Sequence, residues 1–491
     1  MSTLVIGSGI TGMAAALLLA QQGEETTILE AAPSPAPLLR GFERDNLHFD
    51  TGFHCGAGLR QGGLLRLWLQ TLGMMDFISD DACYPMQEEF HFPSDGDGTV
   101  SDVAHFPATL DDLFPTVSAQ FGTQAANNLK QLVQDMLGVI RHSPYTNPHS
   151  DAELQFSFSR ASRLHDVLIR AQLPPRLTRM VQARCSLYGV APHMAGFHEF
   201  SLVGGLYFDS SHGLHGGGTT LRDAALAALK RANVPVRCHA RVTHIRHSNN
   251  RIEGVELSNG ESISCTRCIF TGHPGQLIHI LDKGALRPAF FRHITEMRET
   301  MQALLVFGIT RNPALQGKTV FLMPPDTVDE QNLLAPLEQP APLVYLICGD
   351  GLNGHFPITL ISPTQQSFPA DSPTPRSDAY LRWKRAATAR LVQYARSRLP
   401  EINDLRVLDA ASPLSLRQWI TGSTGSLYGL AHDIETLPLF PVIRLKGLFL
   451  AGQHILLPGI LGGIISAAVA VGLATSHDSV LQGFRQWTRN V

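Results

Sequence analysis

Three glycines near the start of the chain have the spacing of a phosphate-binding turn. An apolar run at residues 4–6 leads into Gly7, Gly9 and Gly12, and an Ala- and Leu-rich stretch follows at residues 13–20. In a strand–turn–helix unit of this kind, the first glycine makes the turn and the second lets a pyrophosphate approach the backbone. The third lets the helix pack closely on the strand, and the helix N-terminus offers free N–H groups to the phosphates. The pattern therefore predicts dinucleotide binding.

An acidic residue after a second predicted strand supports the same chemistry. The strand covers residues 26–29 and ends at Glu30, eighteen residues beyond Gly12, where a carboxylate can hold a pair of ribose hydroxyls. Ile10 and Thr11 open the predicted helix and are expected at the pyrophosphate together with the glycines. The alternative is an ordinary α/β turn that binds no ligand.

Length and charge narrow the class of protein. The 491 residues are too many for one ordinary core and suit two closely associated domains. The net charge is −3, and no block of Lys and Arg stands out, so no nucleic-acid partner is expected. A strand that begins at residue 4 leaves no room for a signal peptide, and seven scattered cysteines suit reduced thiols. The expected location is the cytoplasm, and association with a membrane surface stays open.

The chain then alternates between two kinds of pattern. Helical periodicity at residues 64–72, 109–140 and 157–172 predicts an inserted helical block, and strands with tight turns return near residues 234–270. The most apolar stretch, residues 447–472, has the length of a membrane span. Because polar residues and Pro458 interrupt it, we predict a strand, a glycine-rich turn and a buried helix instead.

A long helix predicted at residues 378–399 has two interpretations. It carries aromatic and aliphatic residues at helical spacing, with several arginines elsewhere on its surface. A basic amphipathic helix of this composition can lie on a membrane. The interpretation we favour is a domain helix that packs its aromatic stripe inward.

Several segments resemble one family in both content and order. They are the glycine turn, the run from Asp50 to His54, the strand block near residues 216–272, and the terminal run from Leu448 through Gly452, Gly459 and Gly463. Together they resemble the flavin amine oxidase superfamily, and within it the group of phytoene desaturases, carotenoid isomerases and retinol saturases. The resemblance implies FAD as cofactor and an α/β fold, in which a Rossmann-like FAD-binding domain of the GR2 type is interleaved with an α+β substrate domain. It places residues 1–80, 212–284 and 430–491 in the first domain, and residues 81–211 and 285–429 in the second.

The resemblance also assigns individual cofactor residues. It implies that the glycine turn holds the pyrophosphate, that Glu30 holds the adenosine ribose, and that the backbone of Val242 meets the adenine. In the terminal segment, it places Gly452, Gly459 and Ile464 beside the flavin.

One loop departs from the family pattern. The family's usual Gly-Gly-Arg or Gly-Gly-Ser falls on Ala36, Pro37 and Leu38, which offer less backbone access and no polar head. We predict that Arg40, two residues later, contacts the phosphates instead.

The catalytic assignment is less direct, because no metal constellation and no G-x-S-x-G nucleophile turn is evident. The chemistry is therefore expected to come from the flavin, with protein groups orienting the substrate. His54, His454 and Glu199 are the predicted ionisable groups near the ring, and a purely structural role is the alternative for each.

Three functions remain open from the sequence. The first is a flavin oxidoreductase that adds or removes a C=C bond in an apolar, polyene-like or isoprenoid substrate. The second is a flavin oxidase that tailors another lipid-like or heteroaromatic natural product. The third is a non-enzymatic prenyl-binding escort that resembles the Rab GDP-dissociation inhibitors.

Overall fold

The computed structural model describes residues 2–93, 102–150, 162–325, 343–364, 377–420 and 422–487. The strands are β1 Thr3–Ile6, β2 Thr26–Leu29, β3 Phe42–Arg44, β4 Leu47–Phe49, β5 Gly56–Ala57, β6 Cys83–Pro85, β7 Gln87–Phe92, β8 Asp102–Phe106, β9 Ser211–Leu214, β10 Val236–Arg237, β11 Val242–Ser248, β12 Arg251–Leu257, β13 Ser262–Ser264, β14 Arg267–Phe270, β15 Gln302–Thr310, β16 Lys318–Leu322, β17 Val344–Cys348, β18 Phe356–Thr364, β19 Arg406–Ala411 and β20 Leu448–Leu450. The helices are α1 Ile10–Gln21, α2 Leu64–Thr71, α3 Leu110–Phe121, α4 Thr123–His142, α5 Leu164–Ala171, α6 Pro175–Ala183, α7 Phe197–Leu202, α8 Leu206–Asp209, α9 Gly217–Arg231, α10 Leu277–Ile280, α11 Pro288–Glu296, α12 Asp378–Arg398, α13 Pro413–Trp419, α14 Gly459–Ala474 and α15 His477–Gln486.

A five-stranded parallel sheet brings together the two ends of the chain. Its strand order is β10-β2-β1-β14-β20, so β1 lies between β2 and β14. This is the order of a doubly wound mononucleotide-binding half, in which the chain reverses direction across the sheet beside the first strand. A ligand in such a sheet binds at the carboxyl ends of the strands at that point.

The first and last helices of this unit pack closely together. Both α1 and α14 are buried along most of their length and are rich in Ala, Gly and Leu. Gly463 of α14 lies against Thr11 of α1, where an added Cβ would come 2.8 Å from the Thr11 hydroxyl. Small residues therefore allow the two helices to approach each other directly above the sheet.

A second, seven-stranded sheet has the order β19-β15-β18-β17-β16-β7-β8. All of its neighbouring strands are antiparallel except β16 and β7. Successive residues alternate between its faces, as the period of a strand requires. Leu304 and Val306 pack on α12, whereas Leu305 faces the opposite way.

The helix α12 packs as a domain helix. Ala387 and Leu391 are buried in the cluster under the seven-stranded sheet, and Trp383 and Tyr394 pack against that cluster. The aromatic stripe therefore points inward, which confirms the favoured interpretation of this segment over a membrane-surface helix.

The helical block contains α3 and α4, which overlap the predicted range 109–140, and α5, which lies within the predicted range 157–172. The periodicity at residues 109–140 predicts helical structure, and the structure divides this range between α3 and α4, which are separated by Gly122 with a φ of +88°. A residue in that conformation cannot continue a helix. In the stretch predicted to be helical at residues 157–172, α5 is present, and residues 157–161 lie outside the described residues.

The terminal apolar segment folds as predicted, with β20, a turn and the buried helix α14. None of the helices in the described ranges is long and apolar enough to cross a membrane. The α/β class is confirmed, and the exact domain boundaries stay a prediction.

Candidate functional site

A large cavity opens at the carboxyl ends of β1, β14 and β20, the point where the parallel sheet reverses its strand order. We call one part of it the nucleotide end. Its lining comprises Gly7, Ser8, Gly9, Ile10, Thr11, Glu30, Ala36, Pro37, Leu38, Leu39, Arg241, Val242, Gly452 and Gly459. Of the predicted cofactor residues, this lining contains all except Gly12, Arg40 and Ile464.

The glycines of the first turn differ in their surroundings. Gly7 has a φ of +102°, and a Cβ on Gly12 would lie 1.9 Å from the carbonyl oxygen of Gly7. A Cβ on Gly9 would meet nothing within 4 Å. Gly12 therefore lies at a tight contact between α1 and the turn, whereas Gly9 borders open space inside the cavity.

Glu30 supports this turn from the end of β2. One of its carboxylate oxygens accepts hydrogen bonds from the backbone N–H of Ser8 at 2.9 Å and from the Ser8 hydroxyl at 2.6 Å. The other accepts from the N–H of Ala32 at 2.7 Å. Each carboxylate oxygen can accept more than one bond, so capacity remains for a ribose hydroxyl.

The unusual loop at Ala36 lies beside these groups. Ala36 has a φ of +50°, the left-handed conformation that glycine adopts more easily, and its N–H donates to the Ser8 hydroxyl at 2.9 Å. The loop thus keeps a glycine-like backbone without the glycine. The Arg40 guanidinium bonds to Ser34 and lies 5.8 Å from the ring centre of Trp419, so its contact with phosphates stays a prediction.

Two helix N-termini face the nucleotide end. The capping residues Gly9 of α1 and Pro458 of α14 line the cavity, and neither helix has a side-chain cap. Their first N–H groups are therefore left to bind another acceptor, and helix dipoles favour an anion there. Together with the open space beside Gly9, these residues fit a dinucleotide diphosphate.

Both predicted catalytic histidines line the cavity. Burial lowers the pKa of His54, although Asp50 opposes the shift. Burial, with a smaller effect of His273 and His432, holds the pKa of His454 well below its ordinary value. Both imidazoles are therefore neutral at pH 7.

Two further histidines surround His454. The rings of His273 and His454 meet edge to face with their centres 4.7 Å apart, and His432 donates from Nε2 to the Gln453 carbonyl at 2.6 Å. His273 also lines the cavity and lies 3.6 Å from Glu299. Burial lowers the pKa of His273. His273 is not among the residues predicted from the sequence, although its place just after β14 is where ligand-binding residues occur in such sheets.

Glu199 and Ile464 lie outside the cavity lining, as do Gly12 and Arg40. Glu199 is on the short helix α7 with a side chain 30% exposed, and burial raises its pKa. Ile464 is fully buried in the core between α14 and its neighbours. Their predicted roles at the flavin remain untested predictions.

A second part of the lining, which we call the apolar end, is formed mainly by aliphatic side chains from distant segments. They include Leu187, Leu202, Val203, Leu206, Leu305, Ile347, Ile361, Leu416, Ile420 and Leu427. Cys55 and three tyrosines, Tyr207, Tyr345 and Tyr428, interrupt this apolar surface. No local motif marks these residues in the sequence, because they meet only in the folded chain.

Within the described residues, no group of three His, Cys, Asp or Glu side chains could hold a metal ion. The only lining residues of the described part that carry Lys, Arg, Asp or Glu side chains are Glu30 and Arg241, both at the nucleotide end. The apolar end is therefore both hydrophobic and uncharged.

The sheet order, the glycine turn and the cavity at the strand ends define a dinucleotide-binding oxidoreductase of the flavoprotein class. A family model described as flavin containing amine oxidoreductase matches residues 10–329. The chain belongs to this family and is an FAD-dependent oxidoreductase, as the sequence predicts.

Similar proteins extend over nearly the whole chain. An all-trans-retinol 13,14-reductase from Danio rerio is 22% identical over 533 aligned positions, which cover 99% of this chain and 87% of that protein. A hydroxyneurosporene desaturase from Rhodobacter capsulatus is 25% identical, and the alignment covers 91% of this chain and 92% of that protein. The crystal structure of an oxidoreductase from Methanosarcina mazei aligns with a TM-score of 0.68 at 13% identity, over 96% of this chain and 99% of that one. The last similarity concerns the fold alone.

Proposed function

We propose that this oxidoreductase adds or removes a C=C bond in an apolar polyene or isoprenoid substrate. The observation that carries the proposal is the apolar end of the cavity, which is continuous with the nucleotide end. Each fully buried aliphatic side chain contributes about 1.5–3 kcal/mol of hydrophobic free energy on losing water, so such a surface favours an apolar ligand.

The charges in the cavity argue against an amine as substrate. A protonated amine that enters an apolar environment loses hydration, and it needs a carboxylate or similar partner to compensate. Glu30 is the one carboxylate of the described lining, and it is engaged with Ser8 and Ala32 at the nucleotide end. An uncharged ligand avoids this cost.

The relatives support the same class of substrate. Their names refer to retinol and to hydroxyneurosporene, and to the reduction of one and the desaturation of the other. The escort alternative is not favoured, since the chain belongs to a family of flavin oxidoreductases. The direction of the reaction is left to experiment.

The protein's own groups would position the substrate and exclude water. Bound FAD supplies the acceptor or donor of a hydride. The aliphatic lining holds the hydrocarbon, and the glycine turn with Glu30 fixes the dinucleotide. The neutral imidazole of His54 can donate one hydrogen bond and accept one within the cavity. Nδ1 of His454 accepts from the Leu430 N–H at 3.3 Å, so its Nε2–H is the group that can donate.

The substrate is proposed to enter from a lipid phase. Trp419 and Leu38 both line the cavity and are 60% and 38% exposed, so part of its opening is apolar. Sedimentation of the purified protein with phosphatidylcholine vesicles tests this route, and a protein that stays entirely in the supernatant contradicts it.

The function is tested with purified, FAD-loaded protein under anaerobic conditions. A desaturase should lose its oxidised flavin absorbance when it is mixed with an isoprenoid that still has C–C single bonds to be desaturated. A saturase should instead reoxidise a pre-reduced flavin, and an isomerase should convert its substrate on the reduced enzyme with no net change in flavin. Bleaching by small amines, with no response to any polyene or prenyl compound, would overturn the proposal.

A further inference from the structure

Four polar side chains form one group inside the apolar end of the cavity. We call Cys55, Tyr207, Tyr345 and Tyr428 the tyrosine cluster. Cys55 lies just before β5, Tyr207 is on α8 and Tyr345 is on β17, whereas Tyr428 precedes the terminal part of the chain. All four line the cavity, although they come from separate parts of the sequence.

The members of the cluster contact one another. The Tyr207 hydroxyl lies 3.9 Å from the Cys55 sulfur and 3.5 Å from the Cys55 carbonyl oxygen. The hydroxyls of Tyr345 and Tyr428 also interact with each other. The cluster therefore consists of two contacting pairs that lie among the aliphatic side chains of the apolar end.

These contacts leave the cluster with hydrogen-bonding capacity. An O–H···O bond is normally 2.5–3.0 Å long, so the bond that the Tyr207 hydroxyl donates to the Cys55 carbonyl at 3.5 Å is weak, and its other partner is a thiol, which is a weak donor. Each tyrosine hydroxyl can donate one bond and also accept. A polar group in apolar surroundings without a good partner destabilises the protein, and a ligand that supplies the partner gains correspondingly.

The cluster adjoins both predicted catalytic histidines. Cys55 directly follows His54 in the chain. Tyr428 directly precedes Gly429, which has a φ of +78° and packs so tightly on His454 that an added Cβ would lie 2.1 Å from its ring. The cluster is therefore directly connected along the chain to His54 and to the residue that packs on His454.

The surroundings decide which polar group can bind. Leu305, Ile347 and Ile361 flank Tyr345 on the same face of the seven-stranded sheet. Among the lining residues that the structure describes, none at this end is a Lys or Arg. An anion bound here would lose its hydration without a cationic partner.

We propose that the tyrosine cluster binds one uncharged hydrogen-bonding group, a hydroxyl or a carbonyl, at the end of an otherwise apolar substrate, and that the pocket rejects the corresponding carboxylate. The proposal rests on the proposed function and refines it from any polyene to one with a neutral polar end.

The ionisation of the cluster agrees with this geometry. Burial, followed by the nearby thiol and tyrosines, raises the pKa of Tyr207 and Tyr345 well above the ordinary value. Burial also raises the pKa of Tyr428 to about 12 and that of Cys55 to about 11. All four groups are neutral at pH 7 and act as donors and acceptors without a charge.

Four matched polyenes test the proposal. They share an all-trans chain of about twenty carbons, long enough to lie along an aliphatic wall, and end in –CH₂OH, –CHO, –CO₂⁻ or –CH₃. Their dissociation constants are measured with FAD-loaded protein from the change in flavin absorbance, and turnover is measured by product analysis. The alcohol and aldehyde should bind at least about tenfold more tightly than the hydrocarbon, which equals one hydrogen bond of about 1.4 kcal/mol. The carboxylate should bind more weakly than either of them.

Two variants identify the residues responsible. Tyr428→Phe should reduce the preference for the alcohol over the hydrocarbon about tenfold, while the affinity for the hydrocarbon itself stays unchanged. Tyr188→Phe removes the hydroxyl of a buried tyrosine outside the cavity lining and should leave the preference intact. This pair separates a contact with the end group from a general loss of stability.

The outcomes separate this proposal from the proposed function. If polyenes bind and react but the carboxylate binds as well as the alcohol, or Tyr428→Phe leaves the preference unchanged, the cluster proposal is wrong and the polyene function stands. If none of the four polyenes binds or reacts, the cluster proposal is wrong, and the anaerobic tests with other polyene and prenyl compounds decide the proposed function.

Discussion

The two ends of the cavity are built from different parts of the protein molecule. The nucleotide end is formed mainly by backbone groups, namely the glycine turn, two helix N-termini and the loop at Ala36. The apolar end is formed by side chains from separate sheets and helices. A site made of backbone groups requires the ligand to approach the main chain closely and the main chain to keep one conformation. A surface made of side chains can be altered by single substitutions that leave the main chain in place.

This difference has a consequence for how each end responds to mutation. A Cβ added at Gly12 forces the backbone to move, because the nearest atom is the carbonyl oxygen of Gly7 in the same turn. A shortened aliphatic side chain at the apolar end removes contacts and leaves the rest of the wall in place. Substitutions at the first end should therefore affect cofactor binding, and those at the second should affect the substrate.

The largest expected effect is at Gly12. Gly12→Ala places a methyl group 1.9 Å from the Gly7 carbonyl oxygen and should cost about 3 kcal/mol of stability or more, with loss of FAD. Thermal unfolding and the flavin content of the purified protein measure both effects.

Gly9→Ala is the matched control. Gly9 has a φ of −61°, which alanine adopts without strain, and its Cβ would meet no protein atom within 4 Å. The FAD-free variant should therefore be as stable as the FAD-free parent, but its affinity for FAD should fall because the methyl enters the space assigned to the pyrophosphate. A Gly9→Ala protein with full FAD affinity would show that the diphosphate lies elsewhere.

The second expected effect tests the unusual loop. Arg40→Ala should weaken FAD binding by about 1–3 kcal/mol if its guanidinium reaches the phosphates. Arg44→Ala, which removes an exposed arginine paired with Asp409, serves as the control. Equal FAD affinities for both variants and the parent would show that Arg40 does not bind the phosphates and only contacts Ser34 and Trp419.

A smaller effect is expected at the apolar end. Leu427 is half-buried and lines the cavity, so Leu427→Ala should weaken polyene binding by about 1–2 kcal/mol. Binding of FAD should be unchanged. A variant that instead loses FAD and keeps its polyene affinity would contradict the division of the cavity into two ends.

The smallest effect concerns pH. In the unfolded chain, histidine takes up a proton near pH 6.5, whereas folded His454 does so only at a much lower pH. The unfolded state thus binds more protons below pH 6.5, so the free energy of unfolding should fall as the pH drops below that value. His454 has no such effect above it.

His454→Gln should therefore flatten the pH dependence of stability between about pH 7.5 and about pH 5.5, as measured by urea unfolding. His142→Gln changes an exposed histidine at the end of α4 and should leave the slope unchanged. An identical slope for the parent and His454→Gln would show that His454 is not kept neutral by burial.

The nucleotide end could be predicted from the sequence because its parts are local. The turn, α1 and Glu30 lie within thirty residues, and each has a fixed conformational reason for its residue type. The last segment, with β20 and α14, was also predictable from its glycines and interruptions. The resemblance of these segments, in their order, to the flavin amine oxidase superfamily implied FAD and the oxidoreductase class.

The apolar end could not be predicted in the same way. Tyr207, Tyr345 and Tyr428 are separated by more than eighty residues from one another, and a single tyrosine between aliphatic residues carries no signal of its own. The break at Gly122 was missed because helical periodicity continues on both sides of it. Glu199 was predicted at the flavin from its neighbours in the chain, but its side chain is not part of the cavity lining.

The strand order of the parallel sheet, with β1 between β2 and β14 and β20 beyond β14, determines when FAD can bind during synthesis. The turn at Gly7 is synthesised before β14, and Gly452 and α14 follow only after β14. A nascent chain that reaches only residue 200 has the glycine turn but lacks β14, β20 and the helix α14 against which α1 packs. We therefore expect FAD to bind only after β20 and α14 have emerged, so that cofactor capture depends on contact between segments that are far apart in the chain.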